Sequence, residues 1–169
     1  MGEVMPASPP CEAFLDLAWP GSAARRVVVS LVRDTPLGRH FVLLCSGQRG
    51  ACYANTRLFE VPGVGWPGEC VWGGDYEANG GTGGAALLPD LDHYEYWRSG
   101  KVGAVSWPGW CSEVDGAQFS ITTREWHPGA GVFNVFGEVV RGLNVVQEAA
   151  QHRPITEVTV VQCGVLLPR

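Results

Sequence analysis

The stretch Cys70–Gly84, CVWGGDYEANGGTGG, limits more than any other what this chain can fold into. Val71-Trp72 reads as the end of an apolar strand. Gly73-Gly74 then lets the backbone pass where a side chain would clash, or take positive φ. Asp75-Tyr76 follows, and Asn79 to Gly84 holds four glycines in six positions with one Thr. Ordering so many glycines costs entropy, so the native loop is expected to need dihedrals that other residues resist. The plain alternative is a flexible surface turn. A phosphate-binding loop is disfavoured, because no Lys follows and no helix-forming run starts there.

Around that stretch the chain reads as short strands with two helices. Phe14-Leu15-Asp16-Leu17 alternates as a first strand, Trp19-Pro20-Gly21 turns, and Arg26 to Val32 is a β-branched second strand. Pro36 to Cys45 predicts a helix: Pro36 suits the first helical position, and Leu37, Phe41 and Leu44 recur at helical spacing. Further strands are expected at Leu58 to Val61, Val102 to Trp107, Gln118 to Thr122, Asn134 to Val140 and Val158 to Cys163. Leu143 to Gln151 predicts the second helix. Many short strands without βαβ alternation point to a mostly β fold, a closed antiparallel barrel of about eight strands capped by two helices. The length of 169 residues suits one domain, able to bury roughly 70% of its unfolded surface. Residues 1–10, with Pro6, Pro9 and Pro10, read as a disordered leader or linker, leaving 11–169 as the domain.

Composition narrows the functional classes. The net charge of −5 offers no broad basic surface to nucleic acid or anionic lipid. No apolar run approaches a membrane span, and no secretory signal shape opens the chain. Cys11, Cys45, Cys52, Cys70, Cys111 and Cys163 form no C-x-x-C pair. That argues against a zinc knuckle or disulfide framework and for free thiols in a reducing, intracellular setting, cytoplasmic or nuclear. No G-x-S-x-G elbow or Cys–His signature stands out. For Glu60, Glu69, Asp75 and Glu77 taken singly, a solvated acidic face is the simpler reading. Trp72, Trp107 and Trp110 are candidates for core packing or for a groove.

The glycine stretch resembles the cyclophilins, the peptidyl-prolyl cis-trans isomerases. Gly73-Gly74-Asp75-Tyr76 and Gly81-Thr82-Gly83-Gly84 match their G-G-D-aromatic and G-T-G-G. Other blocks follow in family order. Cys45 to Gly50 resembles L-[CS]-T-G-E-K-G, Asp115 to Phe119 resembles N-G-S-Q-F, and Thr123 to Trp126 resembles the T-x-W segment. Val135 to Val139 with Gly142 to Val146 resembles V-F-G-x-V followed by G-M-x-V-V, and Gln162-Cys163-Gly164 resembles D-C-G. The resemblance implies the cyclophilin barrel. It also implies an activity that needs no cofactor or metal, in which an apolar pocket holds the proline ring and an Arg donates toward the prolyl nitrogen.

Carried over residue by residue, the resemblance departs from the family at that pocket. The family's F-H-R-I-I strand corresponds to Leu58-Phe59-Glu60-Val61, placing Glu60 at the Arg, and an ionised carboxylate has no proton to donate. Arg57 is the nearby guanidinium. A four-residue expansion around Gly63 to Trp66 follows. The family's F-M-x-Q becomes Glu69-Cys70-Val71-Trp72, its A-N pair becomes Pro108-Gly109, and the second Phe of Q-F-F becomes Ser120. His127 replaces a Leu and Phe133 the pocket His, while Gln118 and Trp126 are retained.

A peptide-binding groove of Glu60, Glu69, Cys70, Trp72, Pro108, Gly109, Gln118, Ser120, Trp126, His127 and Phe133 is therefore expected, with no catalytic residue. The function expected is that of a pseudoenzyme: a protein- or peptide-interaction module, the C-terminal part of a larger intracellular protein. Its partner would be basic, drawn by Glu60 and Glu69, with no nucleic acid and no membrane. Cyclosporin-type ligands are expected to bind weakly or not at all, because Glu69 and Ser120 would spoil the apolar pocket. One alternative is a weak but genuine isomerase that desolvates the prolyl bond, with Gln118 and Trp126 as anchors. Another is a scaffold with a plugged groove; the single lysine, Lys101, among twelve basic residues would suit a place beside a ubiquitin ligase.

Overall fold

A computed structural model of the chain describes residues 8–109 and 113–167. Most of the expected leader, residues 1–7, and Trp110 and Cys111 lie outside the described residues. In chain order the elements are β1 (Cys11–Trp19), β2 (Ser22–Leu31), α1 (Pro36–Ser46), β3 (Thr56–Arg57), β4 (Cys70–Gly73), β5 (Trp97–Ser99), β6 (Ala104–Ser106), β7 (Phe119–Thr122), β8 (Val132–Arg141), α2 (Leu143–Ala149) and β9 (Thr159–Leu166). The strands hydrogen-bond in the order β3-β9-β1-β2-β8-β6-β7-β4, with β5 added on β8. Every pairing is antiparallel. The ring is completed beyond β3, where Trp72 N–H donates to Glu60 O at 2.9 Å and Phe59 N–H to Trp72 O at 3.0 Å. The result is the expected mostly β barrel with two helices. Near-closure leaves little free strand edge.

The helices begin where the sequence dictates. Thr35 Oγ1 accepts Gly38 N–H at 3.0 Å, Pro36 takes the first position, and Gly47 at φ 68° ends α1. Leu37, Phe41 and Leu44 face the barrel, and α1 packs on β9, β1 and β8. Gly142 opens α2 at φ 78°; a Cβ there would meet Arg26 O at 2.2 Å, so no other residue fits. The core centres on Phe41, whose ring lies 5.4 Å from Tyr53, 6.0 Å from Phe119 and 5.5 Å from Phe136.

The strand expected over Leu58 to Val61 is shorter and earlier, at Thr56–Arg57, with Glu60 joining only as an isolated bridge. Pro62 has no N–H to continue a ladder, and Gly63 at φ 70° turns the chain away. No helix among the described residues is long and apolar enough to cross a membrane.

The glycine stretch is not a loose turn. Asp75, fully buried, gathers five backbone N–H groups: Glu77 and Ala78 on Oδ1 at 3.2 and 2.9 Å, and Gly80, Gly81 and Gly83 on Oδ2 at 3.1, 2.8 and 3.1 Å. Glu77 Oε1 accepts Gly84 and Ala85 N–H at 3.0 and 2.8 Å. The glycines are needed because backbone amides must converge on one carboxylate with no Cβ between them: at Gly83 a Cβ would lie 2.8 Å from Asp75 Oδ1. Burial raises the Asp75 pKa, but the amides outweigh it and hold the carboxyl below its ordinary value.

Candidate functional site

Strand alternation builds one face of the barrel into a groove. On β4, Val71 and Gly73 turn inward, so Cys70 and Trp72 face out. Trp72 pairs with Ser120 of β7, which pairs in turn with Ser106 of β6. Cys70, Ser106 and Ser120 thus form a floor of small side chains. Trp72, Trp107, Trp126 and Phe133 stand around it with Pro62, Pro67 and Pro108, enclosing about 780 Å³. Trp107 Nε1 donates to Asp115 O at 3.0 Å, which ties its ring to that segment. Among the described residues, no side chain that lines the groove is charged.

Two buried polar groups on lining residues are short of partners: the Trp126 indole N–H has none, and the Ser120 hydroxyl has only the Cys70 thiol near it. Buried polar atoms are nearly always paired, so these two stand out among the residues around the groove. The Ser120 hydroxyl is near enough to the Cys70 thiol to draw its pKa down, against burial that pushes it up; the net direction is up, and the thiol stays protonated. With no His in the lining to deprotonate it, Cys70 is no nucleophile. Among the described residues no cluster of three His, Cys, Asp or Glu side chains could hold a metal. The groove can desolvate an apolar peptide and offer it hydrogen bonds.

The wall that holds Trp126 is organised from behind by Glu69, whose side chain is 1% exposed. Its Oε1 accepts the Thr123 hydroxyl at 2.6 Å, its Oε2 accepts Gly65 N–H at 2.8 Å, and Arg124 Nε lies 3.5 Å from Oε2. Burial alone would raise this carboxyl's pKa; the Gly65 amide, Thr123 and Arg124 together bring it below the ordinary value. Gly68 lies flat under the Trp126 ring, where a Cβ would meet ring carbons at 2.6 Å.

The whole barrel matches known proteins. The family model for the cyclophilin type peptidyl-prolyl cis-trans isomerase fits residues 14–165. The chain belongs to the cyclophilin family. A curated relative, a peptidyl-prolyl cis-trans isomerase of Encephalitozoon cuniculi (strain GB-M1), is 31% identical over 156 residues, spanning 83% of this chain and 86% of the relative. These two findings overturn the expectation of a pseudoenzyme: they point to an enzyme. The expectation rested on Glu60 at the Arg position together with changed pocket positions such as Glu69, Trp72 and Ser120, and took those departures for the loss of the activity.

The structure brings seven of the eleven expected residues into the groove: Cys70, Trp72, Pro108, Gly109, Ser120, Trp126 and Phe133. Glu69 is elsewhere. As the residue before Cys70 it projects to the other side of the strand, so neither an acidic pocket nor the argument against cyclosporin-type ligands can rest on it. The reading of Glu69 and Asp75 as a solvated acidic face is corrected for the same reason: both are buried and hydrogen-bonded. Gln118 is spent on the glycine loop, Nε2 donating to Gly81 O and Gly83 O at 2.9 Å each. Glu60 is exposed beside Trp72, and His127 is exposed in the turn beyond Trp126; neither lines the groove. Arg57 is not in the lining either; its backbone N–H donates to Asn79 Oδ1 at 3.0 Å. Sequence reasoning missed Pro62, Gly63, Pro67, Gly68, Ser106, Val132 and Asn134 as lining. Period-two alternation around Val105 could have found Ser106. The turn that folds two Pro-Gly pairs toward Trp126 leaves no comparable signal.

Proposed function

We propose that this chain is a peptidyl-prolyl cis-trans isomerase that works chiefly by desolvation. The observation that carries the reading is the uncharged, aromatic-walled groove whose lining includes Trp126, with its unpaired indole N–H. The planar prolyl amide is charge-separated by resonance, and its rotation barrier is about 18–20 kcal/mol. Twisting the bond removes that resonance and leaves a less polar amide. An apolar wall therefore destabilises the planar ground state more than the twisted one. The Trp126 N–H supplies a donor for a substrate carbonyl, holding one side of the bond while the other turns.

With Glu60 at the strand position where the resemblance implies an Arg, the charged donor to the prolyl nitrogen is missing there. Loss of one preorganised donor typically lowers catalysis about 100- to 1,000-fold, so the activity should be modest. The test is exchange spectroscopy of an X-Pro peptide with the protein at one-tenth of the peptide concentration. Exchange faster than in buffer alone is expected. Exchange at the buffer rate even with protein in excess overturns the proposal.

A further inference from the structure

The segment between Pro62 and Cys70 carries large apolar side chains into solvent. Trp66 is 72% exposed and Val64 49%. A loop with that much uncovered apolar surface would be expected to fold back, yet this one is held out. Cys70 N–H closes its mouth on Pro62 O at 3.3 Å. Inside, Trp66 N–H donates to Gly63 O at 2.9 Å and Glu69 N–H to Trp66 O at 3.0 Å. Gly68 N–H anchors the loop to Arg124 O at 3.1 Å, and the buried Glu69 carboxylate takes Gly65 N–H. Gly63, Gly65 and Gly68 all take positive φ, which only glycine adopts freely. The tip is therefore preorganised.

Its position says what for. Pro62 and Gly63 before the tip, and Pro67 and Gly68 after it, line the groove, so Val64 and Trp66, outside the lining themselves, sit on a loop whose two ends form part of its wall. We propose that Trp66 is a specificity-determining residue that seats a large apolar side chain, best an aromatic one, flanking the substrate proline, and that Glu69 is the positioning residue that holds it there. This rests on the isomerase reading. The occupant is apolar because no charged side chain among the described residues lines the groove. The loop's own carboxylate, Glu69, is buried against Thr123 and Arg124, and Glu60 is not among the lining residues. A preformed aromatic platform costs little entropy on binding and acts mainly on affinity.

The experiment compares wild type, Trp66→Ala and Glu69→Gln on three peptides alike except for the residues on both sides of the proline: Phe, Gly or Arg. Wild type should favour the Phe peptide over the Gly peptide about five-fold in kcat/KM, the size of one aromatic contact, and through KM. In Trp66→Ala that ratio should fall to about one. Glu69→Gln should raise KM for the Phe peptide more than for the Gly peptide, a split that general loosening of the fold would not give. An unchanged Phe/Gly ratio in Trp66→Ala overturns the proposal. So does preference for the Arg peptide, or binding to phosphatidylcholine vesicles that depends on Trp66. Calorimetric titration with the same peptides separates the two readings. Trp66-dependent Phe preference in binding without turnover defeats the isomerase reading alone; turnover without that preference defeats this one alone.

Discussion

Two loops of this barrel are each wound around one buried carboxylate, and they differ in where the hydrogen bonds come from. The glycine loop that follows β4 satisfies Asp75 with five of its own amides, and Gln118 braces it from outside. The loop that precedes β4 satisfies Glu69 with only one of its own, Gly65; the rest come from Thr123 and Arg124, which lead directly to Trp126. The first loop is closed on itself and serves the fold. The second is shared between two segments and sets a groove wall, so damage to it should be felt in function more than in stability.

That contrast can be broken most forcefully at Asp75. Asp75→Ala leaves five amides unpaired, each costing about 1–3 kcal/mol before water recovers part. A loss of roughly 3–5 kcal/mol is expected, read as a lowered urea midpoint. Glu69→Ala should lose less, roughly 1–3 kcal/mol, and should change KM on apolar-flanked peptides where Asp75→Asn, if folded, does not. Equal effects of the two sites on KM would dissolve the distinction.

Acid sharpens it further. His40 is buried, its Nε2 accepting Leu87 N–H at 2.8 Å, and burial with the nearby Arg49 charge lowers its pKa to about 4. A depressed folded-state pKa means the unfolded chain binds the proton first. Stability should therefore fall as pH drops from about 6.5 toward 4, on the order of 3 kcal/mol for this group. Asp75 and Glu69, both depressed, add their losses only below the ordinary carboxylate range. Urea midpoints across pH should show two stages, and His40→Gln should remove the first while retaining an acceptor for Leu87. A single late stage in wild type would contradict the assignment. The smallest effect is at Trp66: Trp66→Ala should leave the urea midpoint within about 0.5 kcal/mol, as exposed substitutions do.

The barrel was readable because its signals are local and periodic. Alternation marked β1, a β-branched run marked β2, the Pro36 start and the Leu37, Phe41, Leu44 spacing marked α1, and the glycine blocks fell in family order. The groove was only half readable. Cys70 and Trp72 could be placed by strand parity; the same parity, applied one residue earlier, would have turned Glu69 away from the peptide. Gln118 looked free because nothing in its neighbourhood reveals that it bonds to Gly81 and Gly83, more than thirty residues upstream. The role of Asp75 hides in backbone amides, which carry no residue identity at all.

The most direct test of the central claim is prolyl exchange measured for wild type, Trp126→Phe and Glu60→Gln with one peptide. If the groove acts by desolvation with the indole N–H as its donor, wild type accelerates exchange. Trp126→Phe should then lower kcat/KM about three- to ten-fold, the worth of one neutral hydrogen bond, without loss of stability, since that N–H has no partner in the free protein. Glu60→Gln should stay within about two-fold, as an exposed group outside the lining. Full activity in Trp126→Phe together with loss of activity in Glu60→Gln would place the chemistry at the carboxylate and contradict the account.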